Sequence, residues 1–385
     1  MPLIRAYVGS KLPVLVVGGG VAGSAFALEL ARSGRHVIVL ERTHAPQHKV
    51  CGEFLSCDAQ DALISLGLDM KSLGASPITH FRLVAGERHA TTPLPFPAVG
   101  LSRLTLDEAL LAAAERAGAT IVRGTCVASI QVDDSGVTLR SEKHVWRGAA
   151  AALATGKHSM RGFSRPLGDM IGFKLHLEPT RAGWDLADAV QLVFFRGGYV
   201  GACLVDRGVL SLAWVMREAL VRRVGAAWEQ QAQYLARQSS LVDGLLAGAR
   251  PLFAKPVAVA AIPYGFLRAQ PIASNIYPVG DQLAVVPSFT GDGMAIALRS
   301  GTSAARAFLV GDSAEGYQRS LIKQLRPQFR IAARVGRLME TPFTCAIGIA
   351  AARLVPSLAA GLAAAMRLPK SEGAERSTAS PSTAH

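Results

Sequence analysis

The first strong hydrophobic signal is Val14 to Val17, an uninterrupted apolar run that stops at Gly18 and reads as a strand buried on both faces of a parallel sheet. Val21 to Ser33 follows as a helix that Gly34 can end, and His36 to Leu40 repeats the strand pattern before stopping at Glu41. Further on, Leu106 to Ala117 reads as an alanine- and leucine-rich helix, short strands lie around Thr120 to Val132, and "DDSG" marks a turn. Ala149 to Gly156, "AAAALATG", is another buried strand ending in glycine. From there the pattern changes. "VQLVFF", "GVLSLAWVM" and "PVAVAAIPYG" alternate as antiparallel strands do, with helical pieces between Glu218 and Leu246. The expected fold class is α/β: a Rossmann-like parallel sheet with an antiparallel meander, a mixed antiparallel-sheet lobe, and a C-terminal helical segment. The corresponding boundaries are 12–71, 101–162 and 266–315 for a discontinuous first unit, 72–100 and 163–265 for the second, and 316–368 for the helices. Residues 369–385, rich in serine and alanine, are expected to be disordered.

Composition changes this picture little. With 385 residues, half of them apolar, the chain can bury one large core or two modest ones. The net charge of +13 would suit nucleic acid, anionic lipid or an acidic substrate. Its basic residues are spread along the chain without interleaved aromatics, so no nucleic acid partner is expected. Met1 to Lys11 lacks an export leader, and cytoplasmic placement is the expectation. Five scattered cysteines without a C-x-x-C pair argue against a disulfide framework and against a zinc site, so no metal is expected.

The chemistry begins at the end of the first strand. Gly18, Gly20 and Gly23 form G-x-G-x-x-G, in which the first glycine permits a tight turn, the second admits a pyrophosphate, and the third lets helix and strand pack closely. Val21 and Ala22 open the helix whose N-terminus faces the phosphates. Glu41, followed by Arg42, lies 18 residues beyond Gly23, placed to accept hydrogen bonds from a ribose 2′-hydroxyl and to repel a 2′-phosphate. The dinucleotide is therefore FAD or NAD rather than NADP. Far downstream, "NIYPVGDQLAVVPSFTGDGMAIALRSG" presents Gly280 and Asp281, then Pro287, Gly291, Asp292 and Gly293 before a helix from about Met294.

The order of G-x-G-x-x-G, terminal Glu, A-T-G, G-D and P-x-x-x-G-x-G resembles the flavoprotein class of para-hydroxybenzoate hydroxylase and geranylgeranyl reductase, over roughly residues 12 to 315. That resemblance selects FAD. It implies that Asp281 meets the ribityl chain and that backbone around Gly291 to Met294 lies against the pyrimidine end of the flavin, where a helix N-terminus suits negative charge. "GLSRLTLDEALLAAA" resembles the segment whose arginine, here Arg103, approaches the flavin; Asp107 reads as a helix-initiating acid. One departure concerns "ATGKHSMRGFSR", where Lys157 and His158 follow Gly156 in place of the family's Asp-Gly. NADPH or NADH is the implied transient electron donor, with Lys157 and Arg161 as candidate phosphate attractors or a solvated basic turn.

"KVCGEFLS", Lys49 to Ser56, resembles the C-G-E loop of a clade often associated with polyketide pathways. Position along the family fold puts this loop beside the flavin ring. Cys51 and Gly52 become cofactor contacts, and Glu53, with Cys51, becomes the catalytic candidate; a salt bridge or cap is the equally weighted alternative for Glu53. Lys174 and His176, two apart on one strand face, and Tyr199 are substrate candidates for which structural roles are favoured, and Phe289 is a further substrate candidate.

Two enzymatic readings follow from the resemblance. A monooxygenase would activate oxygen at flavin C4a and hydroxylate an aromatic or polyketide-derived substrate. A reductase would deliver hydride from flavin N5 to an alkene in a prenyl or polyene chain. The first is preferred, and in both the expected partner is a hydrophobic small molecule, carrier-protein or coenzyme A linkage being left open. Arg326, Arg330, Arg334 and Arg337 recur at helical spacing, a basic stripe that would meet an acyl carrier protein, coenzyme A or a lipid surface, or simply face solvent. Phe343 to Met366 is apolar, but Arg353 and Pro356 interrupt it, so helices packed on the core, with peripheral membrane contact at most, are expected.

Overall fold

The computed structural model describes residues 12–339 and 341–355, together with 357, 361, 364, 365, 367 and 368. The N-terminal Met1 to Lys11, the serine-rich tail and Pro356 lie outside the described residues. Five parallel strands form the first sheet, in the order Ile276–Pro278, Ala150–Leu153, Val14–Val17, Val37–Leu40, Thr120–Val122. The runs that looked continuously apolar are its centre: every residue of Val14–Val17 and Ala150–Leu153 is buried, because helices cover one face and a three-stranded meander the other. The meander is Ser129–Asp133, Gly136–Arg140 and Val145–Gly148, with the "DDSG" turn between its first two strands.

The helix Val21–Arg32 crosses this sheet and packs against the later helix Gly293–Leu309. Their contact is close because Gly301 faces the first helix: a Cβ added there would lie 2.4 Å from the Ala22 carbonyl oxygen. The two halves of the nucleotide motif, Gly18 to Gly23 and Gly280 to Gly293, are thus joined through helix backbone despite their distance in sequence.

The second sheet has nine strands. Its main path runs Arg250–Pro251, Met170–Glu178, Val209–Arg217, Gly198–Val205, Ala189–Phe195, Ser76–Ala85, Arg88–Gly100 and Phe54–Leu55, and Val257–Ile262 also pairs with Met170–Glu178. Only the pair Ala189–Phe195 with Ser76–Ala85 is parallel among these. One face packs on the helices Glu218–Val224, Trp228–Ala236 and Ser240–Leu246 around buried Trp214. The other carries Leu192, Tyr199 and Val215, and the helix Pro342–Leu354 covers part of it through Cys345, Ile349 and Ala352. Phe54–Leu55 is a departure from the expected boundaries: this two-residue strand, from the first segment of the chain, hydrogen-bonds to Val99 and Gly100 at the edge of the second sheet. No helix among the described residues is long and apolar enough to cross a membrane.

Candidate active site

The glycine turn after the first strand is built for a ligand that brings its own charge. Gly18 has φ +105° and its missing Cβ would sit 2.5 Å from the Ala154 carbonyl oxygen; at Gly23 the corresponding distance to the Gly18 oxygen is 1.9 Å. Gly20 looks into a cleft, with Arg103 Nη2 and Lys49 Nζ 3.6 and 3.7 Å from its ideal Cβ position. Both cations are held by Asp107, which accepts from Arg103 Nε and Nη2 at 2.7 and 2.9 Å and from Lys49 Nζ at 2.8 Å. Asp107 therefore does not start its helix, as its sequence position suggests; Ser102 caps that helix by accepting from the Thr105 amide. Burial would raise the Asp107 pKa, but the Arg103 and Lys49 charges outweigh it and keep the carboxyl below its usual range.

Glu41 ends the second strand as expected. Its Oε2 accepts from the Gly19 amide at 2.7 Å, and its Oε1 accepts from the Thr43 amide and hydroxyl at 3.0 and 2.9 Å. Burial opposes ionisation there, yet those amides hold its pKa below the ordinary value. The carboxylate braces the glycine turn and retains one lone-pair position on Oε2 for a further donor. Arg42 points outward to His158 Nε2, 2.7 Å away.

Across the cleft, Gly280 and Asp281 form a short helical turn in which Gly280 has φ +59° and its amide donates to Ser300 Oγ at 2.8 Å. The Asp281 carboxylate pairs with Lys157 Nζ at 3.1 Å, and Arg165 donates to its carbonyl oxygen at 2.8 Å. Burial would raise Asp281, but Lys157 prevails and its pKa is lowered. Lys157 is thus committed to the residue that the resemblance assigns to the ribityl chain; Arg161 stands exposed. Gly156, φ +59°, lines the same cleft. Pro287 leads into the turn Ser288–Thr290, Gly291 caps it with φ +73°, and Asp292 and Gly293 open the helix carrying Met294. A Cβ on Gly291 would strike the Phe54 ring at 2.7 Å.

Sequence reasoning missed Arg367. From near the end of the described chain it donates through Nη2 to the Thr290 carbonyl oxygen at 2.9 Å, pairs with Asp292, and lies 4.7 Å over the Phe96 ring. Burial pushes Asp292 up to about 7 even against that cation. The role of Lys49 is likewise invisible in the chain, because nothing in the local spacing of its loop announces that it turns back onto Asp107.

The C-G-E loop is pinned rather than poised. Glu53 has φ +58°, a left-handed conformation uncommon outside glycine, and its side chain is wholly buried. Four donors converge on its carboxylate. Oε1 takes the Arg103 amide at 2.7 Å and Lys174 Nζ, while Oε2 takes His176 Nε2 at 2.6 Å and Ser211 Oγ at 2.8 Å. Burial works to raise its pKa, yet the His176 hydrogen bond and the Lys174 charge win and bring it to about 2. Register explains the convergence. Lys174 pairs with Ala213 and His176 with Ser211, so all four face the same side of the second sheet. Lys174 and His176 are therefore not substrate contacts, a correction to the sequence expectation: both are buried against Glu53. For Glu53 the salt-bridge alternative is the one the geometry satisfies. Cys51 Sγ accepts the Glu53 amide at 3.4 Å, and Cys203 Sγ contacts the Gly52 carbonyl oxygen at 3.6 Å, so the two sulfurs flank the turn. A Cβ on Gly52 would meet nothing within 4 Å, so that position opens on the cleft.

Beyond the loop the cleft walls are apolar: Leu192, Val215, Ile262 and Tyr199 on the sheet side, Tyr264 and Val286 opposite. The Tyr199 and Tyr264 hydroxyls approach to 3.5 Å, and Tyr264 also bonds Ser288. Burial raises both phenols, Tyr199 well above its usual range. Phe289 meets Tyr199 edge-on, with centroids 6.1 Å apart. Tyr199 lines this cleft, whereas Phe289 lies behind it, in contact with the Tyr199 ring.

Positive-φ glycines where backbone must approach, two cations behind Gly20, a free lone pair on Glu41 and an open helix N-terminus at Gly293 together fit a flavin dinucleotide. Comparison with known proteins agrees. Residues 11–146 match the FAD binding domain family. Menaquinone reductase of Mycolicibacterium smegmatis is 27% identical over 86% of each chain. Squalene monooxygenase of Candida glabrata is 33% identical over 26% of this chain and 20% of its own. Among solved structures, the flavin-dependent brominase Bmp2 superposes with TM-score 0.75 at 16% identity over 93% of both chains. The probable FAD-dependent monooxygenase pqsL of Pseudomonas aeruginosa gives 0.72 at 16% identity over 88% of this chain and 99% of its own. The fold is that of FAD-dependent monooxygenases and halogenases, and the protein is a FAD-dependent oxidoreductase.

Proposed function

We propose that the protein is a FAD-dependent monooxygenase that hydroxylates a hydrophobic aromatic or polyketide-derived substrate. The observation that carries this reading is the absence of a usable strong acid among the described residues facing the apolar cleft. Glu53 is ionised and sequestered, Asp281 is paired with Lys157, and the Tyr199 and Tyr264 phenols are pushed up by burial. Saturating an alkene needs a proton delivered to carbon, and such groups deliver one poorly. Oxygen transfer to an electron-rich ring asks instead for a dry cavity with fixed hydrogen-bond donors, which Leu192, Val215, Ile262 and the tyrosine pair provide.

Gly18, Gly20, Gly23 and Glu41 would hold the adenosine and pyrophosphate portions of FAD, with Arg103 and Lys49 offsetting phosphate charge. Asp281 would take the ribityl chain, and Gly291 to Met294 with Cys51 and Gly52 would flank the ring. Bound there, reduced FAD supplies the electrons that activate molecular oxygen. NADPH or NADH is the proposed donor of those electrons. Membership in the C-G-E clade rests on the loop sequence itself.

The second reading, reduction of a carbon–carbon double bond in a prenyl or polyene chain, is favoured by the long match to a protein named menaquinone reductase. Tyr199 or Tyr264 would then be the proton donor. Mass spectrometry of products from aromatic and prenyl substrates, with NADH or NADPH and oxygen supplied, separates the two. Gain of one oxygen supports hydroxylation; gain of two hydrogens overturns it.

A further inference from the structure

A second, larger cavity lies on the far side of Tyr199 and Tyr264, both of which also line the inner cleft. It is a half-open hollow of about 870 Å³, inside the range of small-molecule sites. Its inner wall is aromatic: Phe194, Tyr199 and Phe289 have centroids 5.5 to 6.1 Å apart. The long helix Ala314–Leu338 closes it with Phe329 and Ala332, and Gly336 of that helix lets the Phe289 ring approach, its ideal Cβ being 3.5 Å from Phe289 Cε1.

The outer edge has a different chemistry. Arg196, Arg223 and Arg337 line it, all exposed and none with an ion pair among the described residues. Asp169, the one acid lining the cavity among the described residues, is already paired with Arg217. Of the four arginines in the basic stripe only Arg337 reaches this edge. An apolar hollow with a cationic edge that has no ion pair among the described residues is complementary to an amphiphile with an anionic head.

We propose that the outer chamber holds the elongated apolar body of a substrate whose anionic head, a carboxylate or a phosphate, is bound by Arg196, Arg223 and Arg337, its other end passing Tyr199 and Phe289 into the inner cleft. The assignment rests on the reading of the inner cleft as the reaction site. Head-to-cleft length, rather than a base or acid in the cavity, then selects which part of the substrate reacts.

The test measures equilibrium binding of dodecanoate, dodecyl phosphate and dodecanol, each below its micelle or solubility limit, to the FAD-loaded protein. The anionic probes bind, and R223A/R337A weakens both roughly tenfold, the loss expected for a charge-assisted contact. Dodecanol binding is unchanged by that pair of substitutions, and A333W, which fills the chamber, weakens all three. A larger loss for dodecyl phosphate than for dodecanoate marks a phosphate head; the reverse marks a carboxylate. Equal affinity of the anionic probes for wild type and R223A/R337A overturns the proposal, as does unaltered binding to A333W with flavin retained. If no probe binds while the enzyme still adds oxygen to an aromatic, the chamber falls and the proposed reaction stands. If the probes bind as expected while product gains hydrogens, only the oxygen-transfer reading falls.

Discussion

Glu53→Gln is the sharpest perturbation of this protein because it removes charge while nearly keeping shape. In the wild type four donors meet two carboxylate oxygens. The substituted side-chain amide would turn its oxygen toward the Arg103 amide and Lys174, and its NH2 toward Ser211 Oγ and His176 Nε2, both of which can accept after reorienting a proton. The hydrogen bonds survive, and what is lost is the counter-charge of Lys174, whose side chain is fully buried. Leaving one partner of a buried pair uncompensated costs about 3 to 5 kcal/mol. Equilibrium urea unfolding of the FAD-loaded protein should show a loss of that size, and K174M added to E53Q should regain most of it, since a neutral buried pair carries no desolvated charge. Flavin content and turnover, measured beside stability, distinguish anchoring from chemistry. A loss below about 1 kcal/mol, or a double variant no more stable than E53Q alone, would refute the anchoring account. Normal stability with abolished turnover would return Glu53 to a direct catalytic role.

Gly20→Val should abolish retention of FAD through gel filtration while leaving the far-ultraviolet circular dichroism unchanged, because the side chain would occupy the approach to Arg103 and Lys49; full retention would sink the assignment of the motif. Arg367→Met removes the cation on Asp292 and the donor to the Thr290 carbonyl, and should weaken FAD binding roughly tenfold by loosening the Gly291–Gly293 turn, read by fluorescence on flavin release. Glu53 also sets an acid limit. Its pKa falls from 4.5 to about 2 on folding, so the stability it contributes is complete above 4.5 and disappears as pH falls toward 2. Stability followed by urea titration across that window should drop more steeply in wild type than in E53Q/K174M; parallel curves would contradict it.

The loop holding Glu53 couples the two sheets. Phe54–Leu55 joins the edge of the second sheet, the carboxylate reaches its face, and the Phe54 ring abuts Gly291 of the distant flavin turn. A left-handed residue at position 53 is held by this convergence, since the local sequence alone gives Glu no reason to adopt φ +58°. Catalytic importance and structural anchoring would look alike in the sequence, as both demand a carboxylate at that site.

Local sequence determined those parts of the protein whose physics is local or periodic. Unbroken apolar runs at Val14–Val17 and Ala150–Leu153 become central parallel strands, and within G-x-G-x-x-G the need for Gly23 is local, since a Cβ there would lie 1.9 Å from the Gly18 carbonyl oxygen. Resemblance over long spacing joined the Gly280–Met294 segment to that turn. Tertiary structure alone decided where the charges go. Lys174 and His176 share a strand face in any β reading, but whether they look at substrate or at Glu53 depends on a loop 121 residues before Lys174 folding onto that face. Asp107 reads as an ordinary first-turn acid until Lys49 and Arg103 are seen to converge on it, and Arg367 shows no motif because its partners are carbonyl and carboxylate oxygens contributed by another helix end. Ion pairs between distant segments leave no period in the chain, whereas burial of a strand or the turn of a glycine does.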